Sequence, residues 1–140
     1  MIAEFDAVTA RLRASTVLAN KVEDTFKLDS DGRLVRGNYV VVYFGRPGEF
    51  LADRFAGGQI ADDNGLYEFT VRCVGVDPGT VRLLLQEVDA QLIGWVPQIQ
   101  GRKCSSVRFV EGVGTPHADN SVSPPLFFAD ADFEFWSLFR

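Results

Sequence analysis

Apolar and polar positions recur with two different periods along this chain, and the switches between them mark its elements. Ile2, Phe5, Val8 and Leu12 fall at helical spacing with Glu4, Asp6, Arg11 and Arg13 opposite, so the first segment reads as an amphipathic helix ending near Ser15 and Thr16. Lys21 to Leu28 reads as a short strand. Asp29-Ser30-Asp31-Gly32 after it is turn chemistry, since Asp and Gly tolerate left-handed backbone. Tyr39 to Phe44 is β-branched and aromatic throughout, which predicts a strand buried on both faces. From Leu66 to Val76 the period is two: Tyr67, Phe69, Val71 and Cys73 share one face, and Glu68, Thr70 and Arg72 the other.

Asp77-Pro78-Gly79-Thr80 then announces a helix. Asp can cap the exposed N–H groups, and Pro fits the first helical position, where no donor is required. Val81, Leu84, Leu85, Val88 and Leu92 form its apolar stripe, and Gly94 is placed to end it. Lys103 to Glu111 reads as a strand with Val107 and Phe109 on its apolar side. In the last segment, Leu126 to Arg140, apolar residues from Phe127 to Phe139 take odd positions while Asp130, Asp132 and Glu134 take even ones. One face of that strand enters the core and the other carries three carboxylates. The expectation is one α+β domain over residues 1–140, with an antiparallel-to-mixed sheet of about five strands and two helices packed on one face. Two long loops interrupt it, near 45–65 and 112–125.

Composition narrows the function. A chain of 140 residues with 46% hydrophobic residues can bury a core without metal or disulfide. Its net charge of −5 lacks the basic surplus with which nucleic-acid binders displace counterions, so nothing points to DNA as the main partner. Cys73 and Cys104 sit in apolar stretches and read as small buried hydrophobes of a reducing compartment. The first residues lack the basic start and apolar run of a signal peptide, and no apolar stretch is long enough to span a bilayer. The expectation is a soluble protein made inside the cell, with no membrane partner.

Candidate chemistry is sparse. His117 is the single histidine, no G-x-S-x-G motif accompanies it, and it reads as a surface loop residue. One histidine and two separated cysteines do not make a zinc site. Asp29-Ser30-Asp31-Gly32 resembles part of a calcium loop but has Val40 where a bidentate acid is needed, and Gly112-Val113-Gly114 lacks the third glycine and helix of a phosphate cradle. The expectation is no enzyme, no metal and no cofactor. What remains is surface. The strip Asp130, Asp132, Glu134 reads as a solvated outer face or as a strip pairing with arginines of a neighbouring subunit. The 45–65 loop carries Arg46, Phe50, Arg54 and Phe55 with the acidic pair Asp62 and Asp63, either a local plug or anchors for a partner.

The order of these segments resembles the tail terminator proteins of long-tailed, siphovirus-type bacteriophages, especially those of phages of actinobacteria. The resemblance lies in the initial helix, Tyr39-Val40-Val41-Val42, an Arg54-bearing loop, Val74-Gly75-Val76 leading into the helix at 78–92, Gly94-Trp95, Gly101, Cys104, and Pro124-Pro125 before an aromatic strand. It implies a hexameric ring, a homo-oligomer that caps the head-proximal end of the tail tube, stops its polymerisation and joins the tail to the head-side connector. The implied partners are the tail tube protein and the connector protein, with DNA only passing through the lumen. The implied location is the neck of the virion, reached from the host cytoplasm during assembly. Six copies at −5 leave such a ring acidic, so the expected channel is acidic or neutral. The nearest alternative is a head–tail adaptor of the same neck; a more distant one is a small α+β ligand-binding domain or enzyme.

Overall fold

The computed structural model describes residues 2–23, 36–44, 65–112 and 114–139. In chain order these form helix α1 (Ile2–Arg13), strands β1 (Val22–Glu23), β2 (Tyr39–Phe44) and β3 (Gly65–Gly75), helix α2 (Pro78–Leu92), and strands β4 (Arg102–Cys104), β5 (Arg108–Gly112), β6 (His117–Asp119) and β7 (Leu126–Phe139). All seven strands join one mixed sheet in the order β1-β2-β3-β7, and β4, β5 and β6 follow one another along the far edge of β7. Only β1 and β2 run parallel; the other pairs are antiparallel. The α+β class with helices on one face is as expected.

Alternation sorts the side chains. The face under the helices collects Val40, Val42, Tyr67, Phe69, Val71, Cys73, Ala129, Ala131, Phe133 and Phe135 against Val8 and Leu12 of α1 and the stripe Val81, Leu84, Leu85, Val88, Leu92 of α2. Its centre is a row of four phenylalanines, one from each of four strands. Phe44 stacks on Phe69 at 4.8 Å, Phe69 on Phe133 at 5.5 Å, and Phe109 meets Phe133 edge-on at 6.0 Å. Rings opposed across a sheet add to the burial itself, so the row ties four strands into one layer. The opposite face carries a smaller cluster of Tyr39, Val41, Val74 and Leu126, with Tyr43, Val122 and Phe128 packed against it.

Helix α2 forms as its flanks require. Asp77 accepts from the Thr80 backbone N–H at 2.9 Å and from its hydroxyl at 2.8 Å, and Pro78 opens the first turn. Gly94, at φ +82°, supplies the left-handed turn just past the end. The helices are tied where α1 ends. Arg11 Nε donates to the Gln91 carbonyl at 2.9 Å and Ser15 Oγ to Glu87 at 2.6 Å.

Three details depart from the pattern. In α1, Glu4 is fully buried and Ile2 is 77% exposed, the reverse of the expected stripe. The Glu4 carboxylate accepts from Ser137 Oγ at 2.8 Å and lies 3.4 Å from Arg102 Nε, so a specific polar partner decides the facing of this turn. The expected strand over 103–111 is two strands, because Val107 turns aside and exchanges backbone hydrogen bonds with Gly94 and Trp95. The expected loop over 112–125 contains β6, which pairs with the start of β7. Beyond Glu23 the expected strand over 21–28, and the expected 45–65 loop apart from Gly65, lie outside the described residues.

Phe133→Ala removes a fully buried ring from the middle of the aromatic row. It should lower the unfolding free energy by about 3–5 kcal/mol in urea denaturation. Phe139→Ala, at an exposed position, should cost less than about 1 kcal/mol.

Candidate assembly surface

The outer face of the sheet is a set of polar rows set by strand register. Arg72 of β3 lies opposite Asp130 of β7, Thr70 opposite Asp132, and Glu68 opposite Glu134. Arg72 grips Asp130 with two bonds, 2.7 Å from Nε and 2.9 Å from Nη2, while its guanidinium carbon rests 4.6 Å from the centre of the Phe128 ring. The hydrogen bond to Asp130 raises the Arg72 pKa further above its ordinary value. Thr70 Oγ1 donates to Asp132 at 2.6 Å. Arg108 of β5 pairs with Glu134, relieving the like charges of Glu134 and Glu68. Asp130, Asp132 and Glu134 do share one face, but Glu134 is buried rather than solvated, and each of the three acids is met by a residue of its own chain.

Arg46, Phe50, Arg54, Phe55, Asp62 and Asp63, the other residues singled out from sequence, lie outside the described residues. His117 stands exposed on β6, its ring 5.8 Å from that of Phe128. Cys73 and Cys104 carry free thiols; burial pushes the Cys73 thiol far above its ordinary pKa and raises Cys104 as well. Among the described residues, no group of three His, Cys, Asp or Glu side chains could hold a metal ion, and no helix is long and apolar enough to cross a membrane.

Two concavities flank β5. One, of about 330 Å³, lies between α2 and the sheet edge and is lined by Leu85, Asp89, Phe109, Gly112 and Ala131 among others. It opens because side chains shrink along one inner row, from Val42 and Val71 to Ala131 to Gly112. Asp89 lines it with a buried Oδ1 that has no hydrogen-bond partner, and burial pushes its carboxyl above the usual aspartate range. The other, of about 490 Å³, lies on the outer side by Tyr43, Glu68, Thr70, Val110, Glu111 and Asp132.

Apolar side chains surface at two places: Phe109 and Val110 on β5, which line these hollows, and Trp136, Leu138 and Phe139 at the end of β7, where β4 pairs with it. Sequence periodicity assigned Phe109 and Phe139 to the core and gave Val110, Trp136 and Leu138 no role. The structure leaves Phe109 46% and Phe139 56% exposed, because both lie where the sheet and its helix cover run out. The available signal was that Trp136 and Leu138 replace acids at even positions of the last strand.

The acids of β7 are thus met within the sheet, while exposed apolar residues lie on β5 and at the end of β7. No family model matches this chain, and no curated protein does. Among solved structures, a chain of the virion of a native gene transfer agent (GTA) particle superposes with a TM-score of 0.68 over 96% of this chain and 94% of that one, at 18% identity. The two chains share a fold.

Asp89→Asn tests the electrostatics of the smaller hollow. A carboxyl with a raised folded pKa is most compatible with folding when protonated, so its charge costs stability as pH rises through the ordinary aspartate value of about 3.9 and the folded value above it. The variant should unfold at higher temperature than the parent at pH 7, with the difference vanishing near pH 3.

Proposed function

We propose that this chain is a structural protein of a phage-like virion and, within it, the tail terminator: a ring that closes the head-proximal end of the tail tube. The observation that carries the reading is the shared fold, which spans nearly the whole of both this chain and the GTA virion chain. The segments quoted for the family resemblance support the finer role. The Tyr39–Phe44 strand, the Asp77-capped helix and the Gly94-Trp95 turn are all present as ordered elements.

The role follows from interface geometry. A tail tube grows because each ring repeats the face it has just bound, an open head-to-tail stack. A terminator copies one face and not the other, so the next tube ring finds nothing to pair with. Its subunits join side by side through a heterologous contact that closes, as six copies if the family pattern holds, and each contact buries about 1,000 Å² or more if the ring is stable alone. In this reading the chain catalyses nothing. Its partners are its own copies, the tube protein and the head-side connector, and DNA only passes through.

Light scattering and negative-stain imaging of the purified chain, with and without tubes assembled from the tube protein of the same particle, test this. Rings on one tube end and arrested elongation are expected. A chain that stays monomeric beside its tubes, or binds portal in place of tube, overturns the assignment.

A further inference from the structure

Strand β5 is an edge with the chemistry of an interface. All five of its residues are exposed. One side of it pairs with β7, and no described strand pairs with the other. Just before it, Val107 spends its N–H on the Trp95 carbonyl at 2.8 Å and its carbonyl on the Gly94 N–H at 3.0 Å. By two-residue alternation the backbone of Phe109 faces the same outward side. The aromatic row also ends here, with Phe109 left 46% exposed. The hollow under α2 leaves room on the inner side for the side chains of an added strand.

We infer that the open edge of β5 receives β1 of a second copy of this chain, so that the sheet of one subunit continues into the next. The inference rests on the ring reading above and names the contact that closes the ring. Strand β1 is the opposite edge of the same sheet, paired among the described strands with β2 alone. Two unlike edges on opposite sides of one subunit are what a closing head-to-tail ring requires.

Direction and register agree. Strand β1 runs parallel to β2 and therefore along β7, whereas β5 runs against β7, so a rotation about an axis along the strands sets β1 antiparallel to β5. On β1, Val22 is on the core face and Glu23 on the other, and Lys21 just before the strand falls on the side of Glu23 by alternation. On β5, Arg108 and Glu111 align with outer-face Glu134 and Asp132, Phe109 with core-face Phe133, and Val110 is the residue at the bulge. Antiparallel pairing with Val22 against Phe109 places Glu23 at Arg108, and with Val110 skipped as it is against β7, Lys21 falls at Glu111, which gives two opposite-charge pairs around one apolar contact. The Lys21 ammonium would also face the outer hollow, whose acids are Glu68, Glu111 and Asp132. Arg108 can serve both neighbours, since its side chain is 74% exposed while it holds Glu134.

A charge-reversal cycle read by light scattering over a concentration series, with tubes present if rings form only on them, decides the matter. Glu111→Lys and Lys21→Glu should each raise the ring-forming concentration by about tenfold, and the double variant should return it near the parent value. In a Cys104→Ser background, Lys21→Cys combined with Glu111→Cys should oxidise to a ladder of linked chains. Rings that form undisturbed in the single variants, a double variant that fails to recover, or the absence of linked chains in formed rings would overturn this contact while leaving the ring itself standing. No ring from the parent chain in either condition overturns both.

Discussion

The structure depends on a single strand being paired along both of its edges. Strand β7 meets β3 residue for residue from Phe127 to Ser137 on one side and β4, β5 and β6 in succession on the other. A strand held this way cannot slip by one residue, because a slip would exchange Phe133 and Phe135 for Asp132 and Glu134 in the core. The strict alternation of its sequence and its central place in the sheet are thus one fact seen twice. From it follow the aromatic row beneath the helices and the polar rows on the outer face.

The same pairing decides where the surface is quiet and where it is open. In the middle of the outer face the acids of β7 are held by Thr70, Arg72 and Arg108, so charge there is spent on internal register. At the periphery the far edge of β7 is covered by three short pieces rather than one long strand, a common way of limiting unwanted edge pairing. The bulge between Phe109 and Glu111 interrupts β5 further. What is left exposed is a short, shaped edge with two apolar side chains between charged ones rather than a long flat one, which favours a specific partner over indiscriminate association.

Much of this was legible in the chain itself. Strands β2, β3 and β7 and helix α2 announced themselves because each combines a clean period with a sharp boundary, such as Asp77-Pro78 or Gly94. The acidic strip was legible for the same reason. What periodicity could not supply was long-range pairing. Glu4 looks like a solvated helix residue until Ser137, more than a hundred positions away, is placed beside it. Phe109 looks like core until the shrinking row Val71, Ala131, Gly112 shows that the sheet runs out of cover at that edge. Strand β6 is too short, and too rich in turn-forming neighbours, to be seen without β7 as its template.

The proposed role, a ring at the end of a tube, asks a domain to fit between copies and neighbours, and a register-locked centre with unlike edges is compatible with it. The most direct measurement is a cryo-electron microscopy reconstruction of an intact particle carrying this chain. The expected map shows one closed ring of it at the head-proximal end of the tail tube and none along the tube. Density for the chain repeating along the tube, or confined to the head shell, would contradict that role.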